Sequence, residues 1–166
     1  MDTQLRFSRG RGQALVEFAL VFPLIVVILL GVFDFGRYIF ADNEVTNAAR
    51  EGIRTAIVNQ YEPDIRSRIR QQATAIDISV TPPTCDADNV PPSADESGIC
   101  IKFVDQKNLT TLCSPMYVGC VAVITVKYTF TPLTPVISRI VGGRVVVSTA
   151  KQPIESVCTA AGCPVR

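Results

Sequence analysis

A long apolar run near the N-terminus limits what this chain can fold into. Between Ala14 and Phe33 the only charged residue is Glu17. A helix rises about 1.5 Å per residue, so a run of this length reaches across a hydrocarbon core of about 30 Å. The run predicts a single transmembrane helix over residues 13–35, preceded by a basic leader over residues 1–12.

Arginines are distributed unequally on the two sides of this run. Arg6, Arg9 and Arg11 precede it, whereas Arg37 is the first arginine after it. The positive-inside rule predicts a cytoplasmic N-terminus and an extracytoplasmic domain over residues 36–166. The segment Ile39–Ala41 lacks the small-x-small pattern at which a secretory signal is cut, so we expect the apolar helix to be retained.

Glu17 is the residue of the run that most needs an explanation. A charged side chain in a transmembrane helix costs about 2.5–3.5 kcal/mol at the membrane centre and less near its edge. Acids that remain inside such helices usually serve a function. We therefore treat Glu17 as a candidate functional residue.

Several stretches of the chain carry a resemblance to a known family. They are Gly12-Gln13-Ala14-Leu15-Val16-Glu17-Phe18, Gly31–Arg37 and Asn47–Gly52, with weaker similarity at Tyr128–Phe130 and Pro132–Pro135. The pattern resembles the TadE-like family of pilin-like proteins from the bacterial tight-adherence (Flp-type) pilus system. The resemblance implies that a prepilin peptidase in the bacterial inner membrane cuts after Gly12. It also implies that the product is a pseudopilin that meets other pilin-like subunits and the pilus secretion machinery.

The implied processing site consists of Gly12, Gln13, Glu17 and Phe18. Cleavage would give Gln13 a new α-amino group, with Glu17 one helical turn away at i+4. In a bundle of such helices the carboxylate could instead pair with the amine of a neighbouring subunit. That pairing would offset the cost of charge in lipid and fix the axial register. A carboxylate that reaches the interface without a partner is the alternative.

Three further helix residues bear on packing. Pro23 removes one helical hydrogen bond and predicts a kink, which membrane helices tolerate. Gly31 could let stem helices approach closely, although its spacing to Gly36 is one residue longer than in the usual motif. Gly52 weakens the helix by about 1 kcal/mol relative to alanine. In the family pattern Gly52 would allow close packing on a sheet.

The six cysteines all follow the apolar run, on the side expected to be oxidising. An even number there suggests disulfides, and six cysteines allow fifteen connectivities. Sequential pairing is the simplest, because short loops close at small entropic cost. It would join Cys85 to Cys100, Cys113 to Cys120 and Cys158 to Cys163. Zinc thiolates are the alternative, but the chain has no C-x-x-C spacing and no histidine.

The composition gives no case for an enzyme, a cofactor or a nucleic-acid partner. The net charge is +1, which does not favour nucleic acid, and histidine, the commonest general base, is absent. We find no G-x-S-x-G and no phosphate-binding glycine loop. The acids of one loop do not match an EF-hand, so a solvated loop is favoured over a calcium site. These acids are Asp86, Asp88, Asp95 and Glu96.

Hydrophobic periodicity predicts the rest of the fold. The long helix should continue to about Val58, with an apolar face at Phe35, Tyr38, Val45, Ala49, Ile53 and Ile57. A second helix should run from Pro63 or Asp64 to about Ile76. Strands are expected at Ile76–Thr81, Ile99–Val104, Cys120–Phe130 and Val145–Ala150, with a loop at Pro82–Gly98, a helical turn at Val136–Val141 and an irregular tail at Pro153–Arg166 held by Cys158 and Cys163.

The predicted fold class is therefore α+β, with a long N-terminal transmembrane and stem helix packed on a small antiparallel sheet, as in pilins. The function that we favour is a membrane-anchored pseudopilin or minor pilin in a tight-adherence pilus. The alternative is an unprocessed single-pass membrane protein whose disulfide-bonded outer domain binds another envelope component.

Overall fold

One long helix carries a small α+β domain on its C-terminal half. The computed structural model describes residues 10–78, 85 and 97–163. The elements are α1 (Gly10–Ala56), α2 (Glu62–Gln72), β1 (Gly98–Val104), β2 (Val121–Phe130), α3 (Pro135–Val141) and β3 (Arg144–Pro153). The described strands form an antiparallel sheet in the order β1-β2-β3. These elements confirm the predicted fold class.

The C-terminal half of α1 forms the base of the core. The helix is continuous from Gly10 to Ala56 and ends close to the predicted Val58. Its buried face is covered by α2, β2 and β3. That face consists mainly of Ala41, Val45, Ala48, Ala49, Ile53 and Ala56. Alanine predominates there, so the neighbouring elements can pack close to the helix backbone.

The buried face begins later along α1 than the periodicity predicts. Phe35 is 65% exposed, so its placement in the core is wrong. The central strand β2 ends at Phe130, whose ring meets Tyr38 edge-on with 5.6 Å between ring centroids. Phe35 lies about one turn before Tyr38 and lines an open groove with Ile137. Phe35 is exposed because the sheet ends before it. Helical periodicity does not predict where the sheet ends.

Asn59 shapes the turn between α1 and α2. Its side-chain amide donates to Asp64 at 2.9 Å, and its side-chain oxygen accepts the Tyr61 N–H at 2.8 Å. Pro63 lies in the first turn of α2, where a missing N–H costs no helical hydrogen bond. The prediction that the long helix breaks here and a second helix begins at about Pro63 is confirmed.

The segment after α2 differs from the prediction. The helix buries Ile65 and Ile69 but ends at Gln72 and not at about Ile76. The strand predicted over residues 76–81 is wrong for residues 76–78, which are irregular, and residues 79–81 lie outside the described part. Ile76 and Ile78 are buried, so their period-two pattern reflects an irregular segment that lies on the core.

The three remaining predicted strands are found within a few residues of their expected bounds. The residues Ala122, Ile124 and Val126 alternate along β2 and belong to the core that includes α1. On the other face, the Thr125 hydroxyl lies 3.0 Å from the hydroxyl of Thr149 in β3. The short helix predicted at Val136–Val141 is α3, and it connects β2 to β3.

Gly52 lies where α1, α2 and the sheet approach most closely. A Cβ atom built on it would lie 2.6 Å from both Cδ1 and Cγ1 of Ile69, and 3.3 Å from Cδ1 of Ile124. A real Cβ does not tolerate the shorter distances, so any larger residue at position 52 would force the Ile69 side chain to shift. The close packing at Gly52 is as expected, but α2 approaches this glycine more closely than the sheet does.

Hydrogen bonds hold the tail to the end of α1. The Gln60 N–H donates to the Cys158 carbonyl at 2.8 Å, and the Cys158 N–H donates to Gln60 Oε1 at 2.7 Å. Gln60 Nε2 also donates to the Ser156 carbonyl at 2.9 Å. The Cys158–Cys163 disulfide closes a loop inside the tail. The disulfide lies within the tail, whereas hydrogen bonds to Gln60 and to the Ile57 and Val58 carbonyls hold the tail to the end of α1.

Candidate functional site

Most of the segment 12–33 of α1 is not covered by the domain. Its side chains are exposed, apart from partial burial at Val26 and Gly31. In the segment Gly12–Ala56, the most apolar window has a mean hydropathy of 2.8 and no buried residue. By length and composition this helix could cross a membrane. A helix that is apolar on all sides and is not covered by protein suits lipid better than water.

The four residues of the implied processing site lie together on the first exposed turns of α1. Glu17 is one helical turn beyond Gln13, as the spacing requires. Phe18 stacks on Phe22, with 5.2 Å between ring centroids and 26° between ring planes. Among the residues that the structure describes, none forms an ion pair or a side-chain hydrogen bond with Glu17.

The glycines of the stem have different surroundings. A Cβ atom built on Gly12 meets no heavy atom within 4 Å. A Cβ atom built on Gly31 would lie 3.6 Å from Cδ1 of Ile137, an ordinary van der Waals distance. Gly31 therefore faces α3 of its own chain. Pro23 lies inside the continuous helix. The kink at Pro23 and the approach of another helix at Gly31 stay predictions.

A buried carboxylate at the end of the apolar half joins α1 to α3. Asp34 is only 3% exposed. Its Oδ1 accepts the Leu133 N–H at 3.1 Å, and its Oδ2 accepts the Thr134 N–H at 3.0 Å. These residues lead directly into α3, so the carboxylate also places negative charge at a helix N-terminus, where the helix dipole favours it.

Arg37 completes this junction. Its Nη1 lies 3.5 Å from Asp34 Oδ1, and its guanidinium carbon lies 5.5 Å from the centroid of the Phe130 ring. The cation is therefore placed between the buried acid and the end of β2. Through these contacts the last turn of the apolar half is fixed to the outer domain.

Sequence reasoning missed the role of Asp34. A signal was present, because Gly31–Arg37 and Pro132–Pro135 both contribute to the family resemblance. The structure brings these two stretches into contact across a sequence separation of 100 residues. An acid directly after an apolar run, together with a distant Pro-Leu-Thr-Pro segment, is the pattern that could have indicated the junction.

All six cysteines form disulfides, and they pair sequentially. The bonds are Cys85–Cys100, Cys113–Cys120 and Cys158–Cys163, with Cα–Cα distances of 5.9, 6.1 and 5.9 Å. They all lie in the outer domain, away from the exposed stem. Most of the loop predicted at Pro82–Gly98, including its four acids, lies outside the described residues; Cys85 and residues 97–98 are within them.

Comparison with known proteins identifies one family. Residues 12–54 match the model of the family described as TadE-like protein. Searches of curated proteins and of solved structures found no match. The matched segment covers the exposed stem, Asp34 and most of the buried half of α1. Residues 12–54 therefore match the family that the sequence resembles, and this match suggests an association with the tight-adherence pilus machinery and the membrane. The weaker similarity at Tyr128–Phe130 and Pro132–Pro135 lies outside the matched segment.

Proposed function

We propose that this chain is a membrane-anchored pseudopilin, or minor pilin, that takes part in assembling or anchoring a tight-adherence (Flp-type) pilus. The observation that carries the proposal is the contrast along α1: its TadE-like N-terminal half is apolar and exposed, whereas its C-terminal half is the base of a folded domain. A long helix of this kind can anchor the domain in lipid and pack against other stems. The proposed role is structural and not enzymatic.

The proposed location is the bacterial inner membrane, crossed once, with the outer domain in the periplasm or outside the cell. The arginines of the leader support a cytoplasmic N-terminus. The three disulfides of the outer domain support an oxidising compartment for that domain. The arginines and the disulfides are independent features, and both support the proposed orientation.

A prepilin peptidase is the proposed processing enzyme, with its cut after Gly12. The family pattern supports this site, and so does the exposure of the segment. Packing within the described chain does not require glycine at position 12, because a Cβ atom there would meet nothing. Recognition by a peptidase would explain the glycine at position 12, whereas packing does not.

Glu17 is the proposed docking residue of the stem. Its carboxylate has no partner within the described chain and lies one turn from Gln13, the proposed new N-terminus. In lipid, where solvation of an ion is poor, pairing with the α-amino group of a neighbouring stem would offset much of the cost of the charge. Sister stems and the pilus secretion machinery are therefore the proposed partners.

Mass spectrometry of the N-terminus tests the processing step. The chain is expressed with and without its prepilin peptidase, and its intact mass and N-terminal peptide are measured. We expect an N-terminus at Gln13 with the peptidase and an intact leader without it. In Gly12→Val the leader should be retained. The matched control, Gly36→Val, changes another helical glycine with open surroundings and should be processed normally.

An intact leader on the wild-type chain in the presence of active peptidase would contradict this proposal. That result would favour an uncut, anchored module whose outer domain binds another envelope component.

A further inference from the structure

The short helix α3 and the residues that lead into it expose apolar side chains that do not pack in the outer domain. Leu133 and Ile140 are 72% and 79% exposed, and Val141 is 40% exposed. Ile137, on the same helix, instead faces α1 at Gly31. A group of exposed apolar side chains on an otherwise folded domain usually marks a contact surface.

The contacts of α3 with α1 fix its position along the stem. Asp34 binds the two residues that lead into α3, and Ile137 lies against Gly31. The apolar run of α1 ends at Phe33. With a rise of about 1.5 Å per residue, Gly31 lies about 3 Å before that end. The helix α3 is therefore level with the place where α1 leaves its apolar stretch.

The charged residues of the chain segment that contains α3 all have one sign. Residues 131–154 contain Arg139, Arg144 and Lys151 but no aspartate or glutamate. Arg139 and Arg144 are exposed. The acid that contacts this segment, Asp34, is buried and already accepts two hydrogen bonds. Arginines beside exposed aliphatic side chains suit a surface that has apolar chains below and phosphates above.

We propose that α3 is a second membrane contact, which rests on the outer-leaflet interface beside the exit of α1. Leu133 and Ile140 enter the boundary between headgroups and acyl chains, while Arg139 and Arg144 bind phospholipid phosphates. This inference rests on the membrane anchoring in the proposed function. Interfacial helices usually insert their apolar face about 5–10 Å into this boundary. With two attachments at one depth, the domain would be held in a fixed orientation on the membrane.

The absence of tryptophan from the chain allows a direct test. Ile140→Trp is prepared in the full chain and reconstituted into vesicles of phosphatidylcholine and phosphatidylglycerol. Since Ile140 is 79% exposed, the substitution should not disturb folding. We expect blue-shifted tryptophan emission. Lipids brominated close to the headgroup should quench it more strongly than lipids brominated near the chain ends.

Two control variants separate this inference from the anchor itself. Leu109→Trp places the probe on another exposed apolar residue, in the loop that follows β1 at the end of the sheet away from Phe130, and should show no quenching. Val27→Trp places it within the apolar run and should be quenched most by lipids brominated deep in the chains.

Each outcome supports or overturns the inference. Quenching of Val27→Trp without quenching of Ile140→Trp would overturn the α3 contact and leave the anchor intact. If the emission of Ile140→Trp is blue-shifted but not quenched by the brominated lipids, the residue contacts protein, such as a second copy. That result would also overturn the α3 membrane contact. If Val27→Trp is not quenched, the result would also contradict the membrane anchoring by α1 in the proposed function. Phosphatidylglycerol in the vesicles should increase the quenching of Ile140→Trp. Replacement of Arg139 and Arg144 by glutamine should reduce this increase.

Discussion

The two halves of α1 form one continuous helix but have opposite surroundings. In the N-terminal half, Leu24 and Ile28 are 62% and 56% exposed, and no element of the described domain covers them. In the C-terminal half, Val45 and Ile53 are 0% and 3% exposed. Helical structure alone therefore does not distinguish the halves. What distinguishes them is which neighbours cover their side chains, and this difference separates a stem from a core helix.

The largest effect should come from comparing two isoleucines of this helix. Ile53→Ala removes a fully packed side chain and should lower the free energy of unfolding of the outer domain by about 2–5 kcal/mol. Ile28→Ala removes an exposed side chain and should change it by less than about 0.5 kcal/mol. Chemical unfolding in detergent, followed by near-ultraviolet circular dichroism, measures both. Equal losses in the two variants would remove the distinction between the halves.

A smaller effect is expected at the boundary between the halves. Asp34→Asn replaces one accepting oxygen with an amide group beside a buried N–H, which should cost about 1–3 kcal/mol locally. Hydrogen exchange of residues 131–141 should become faster, because α3 opens from α1. Asp42→Asn, which changes an exposed acid of the same helix, is the control. If both variants exchange alike, Asp34 does not hold α3 in place.

The glycines of the C-terminal half and the boundary should respond with opposite signs. Gly52→Ala crowds Ile69, and after the gain in helix propensity it should still destabilise the domain by about 1–2 kcal/mol. Gly36→Ala meets open space and should stabilise the helix by about 0.5–1 kcal/mol. Thermal unfolding in detergent compares the two variants. Stabilisation by both would show that α1, α2 and the sheet are less closely packed than described.

The smallest effect concerns the outer domain far from the stem. The Tyr117 hydroxyl and the Lys107 N–H donate to the Asp105 carboxylate and lower its pKa below the ordinary value, while the same tyrosine contact raises the pKa of Tyr117. The stability from a depressed carboxyl pKa is present above the unfolded value and is lost as the pH falls through the folded pKa.

Tyr117→Phe should therefore raise the pKa of Asp105, which carbon-detected NMR titration of the carboxyl group measures. Tyr61→Phe, at a tyrosine that does not contact Asp105, serves as the control. If both variants give the same Asp105 titration, the tyrosine contact is not the main cause of the lowered pKa.

Local patterns predicted most of the elements. The apolar run and the helical period that follows predicted α1, and alternation predicted β2, because both signals depend on residues a few positions apart. Local patterns failed where the answer depended on distant parts of the chain. Phe35 has the right period for the core, but β2 ends before it. Ile78 alternates like a strand residue but lies in an irregular segment.

The candidate site was predictable to a similar extent. The position of Gly12 and Glu17 on one exposed helix follows from sequence, because the segment packs against nothing in the described domain. The role of Asp34 does not follow, because its partners Leu133 and Thr134 are about a hundred residues away and backbone N–H groups have no sequence signature. Its burial becomes evident only when α3 is placed.

In the proposed function, the exposed half of α1 is a docking stem whose Glu17 pairs with other subunits. The most direct measurement is the amount of the chain that co-purifies with sheared pilus and its assembly machinery in Glu17→Ala, compared with Asp42→Ala. We expect Glu17→Ala to insert into the membrane but to be strongly depleted from that fraction, and Asp42→Ala to be recovered normally. Recovery of Glu17→Ala at the wild-type level would contradict this role of Glu17.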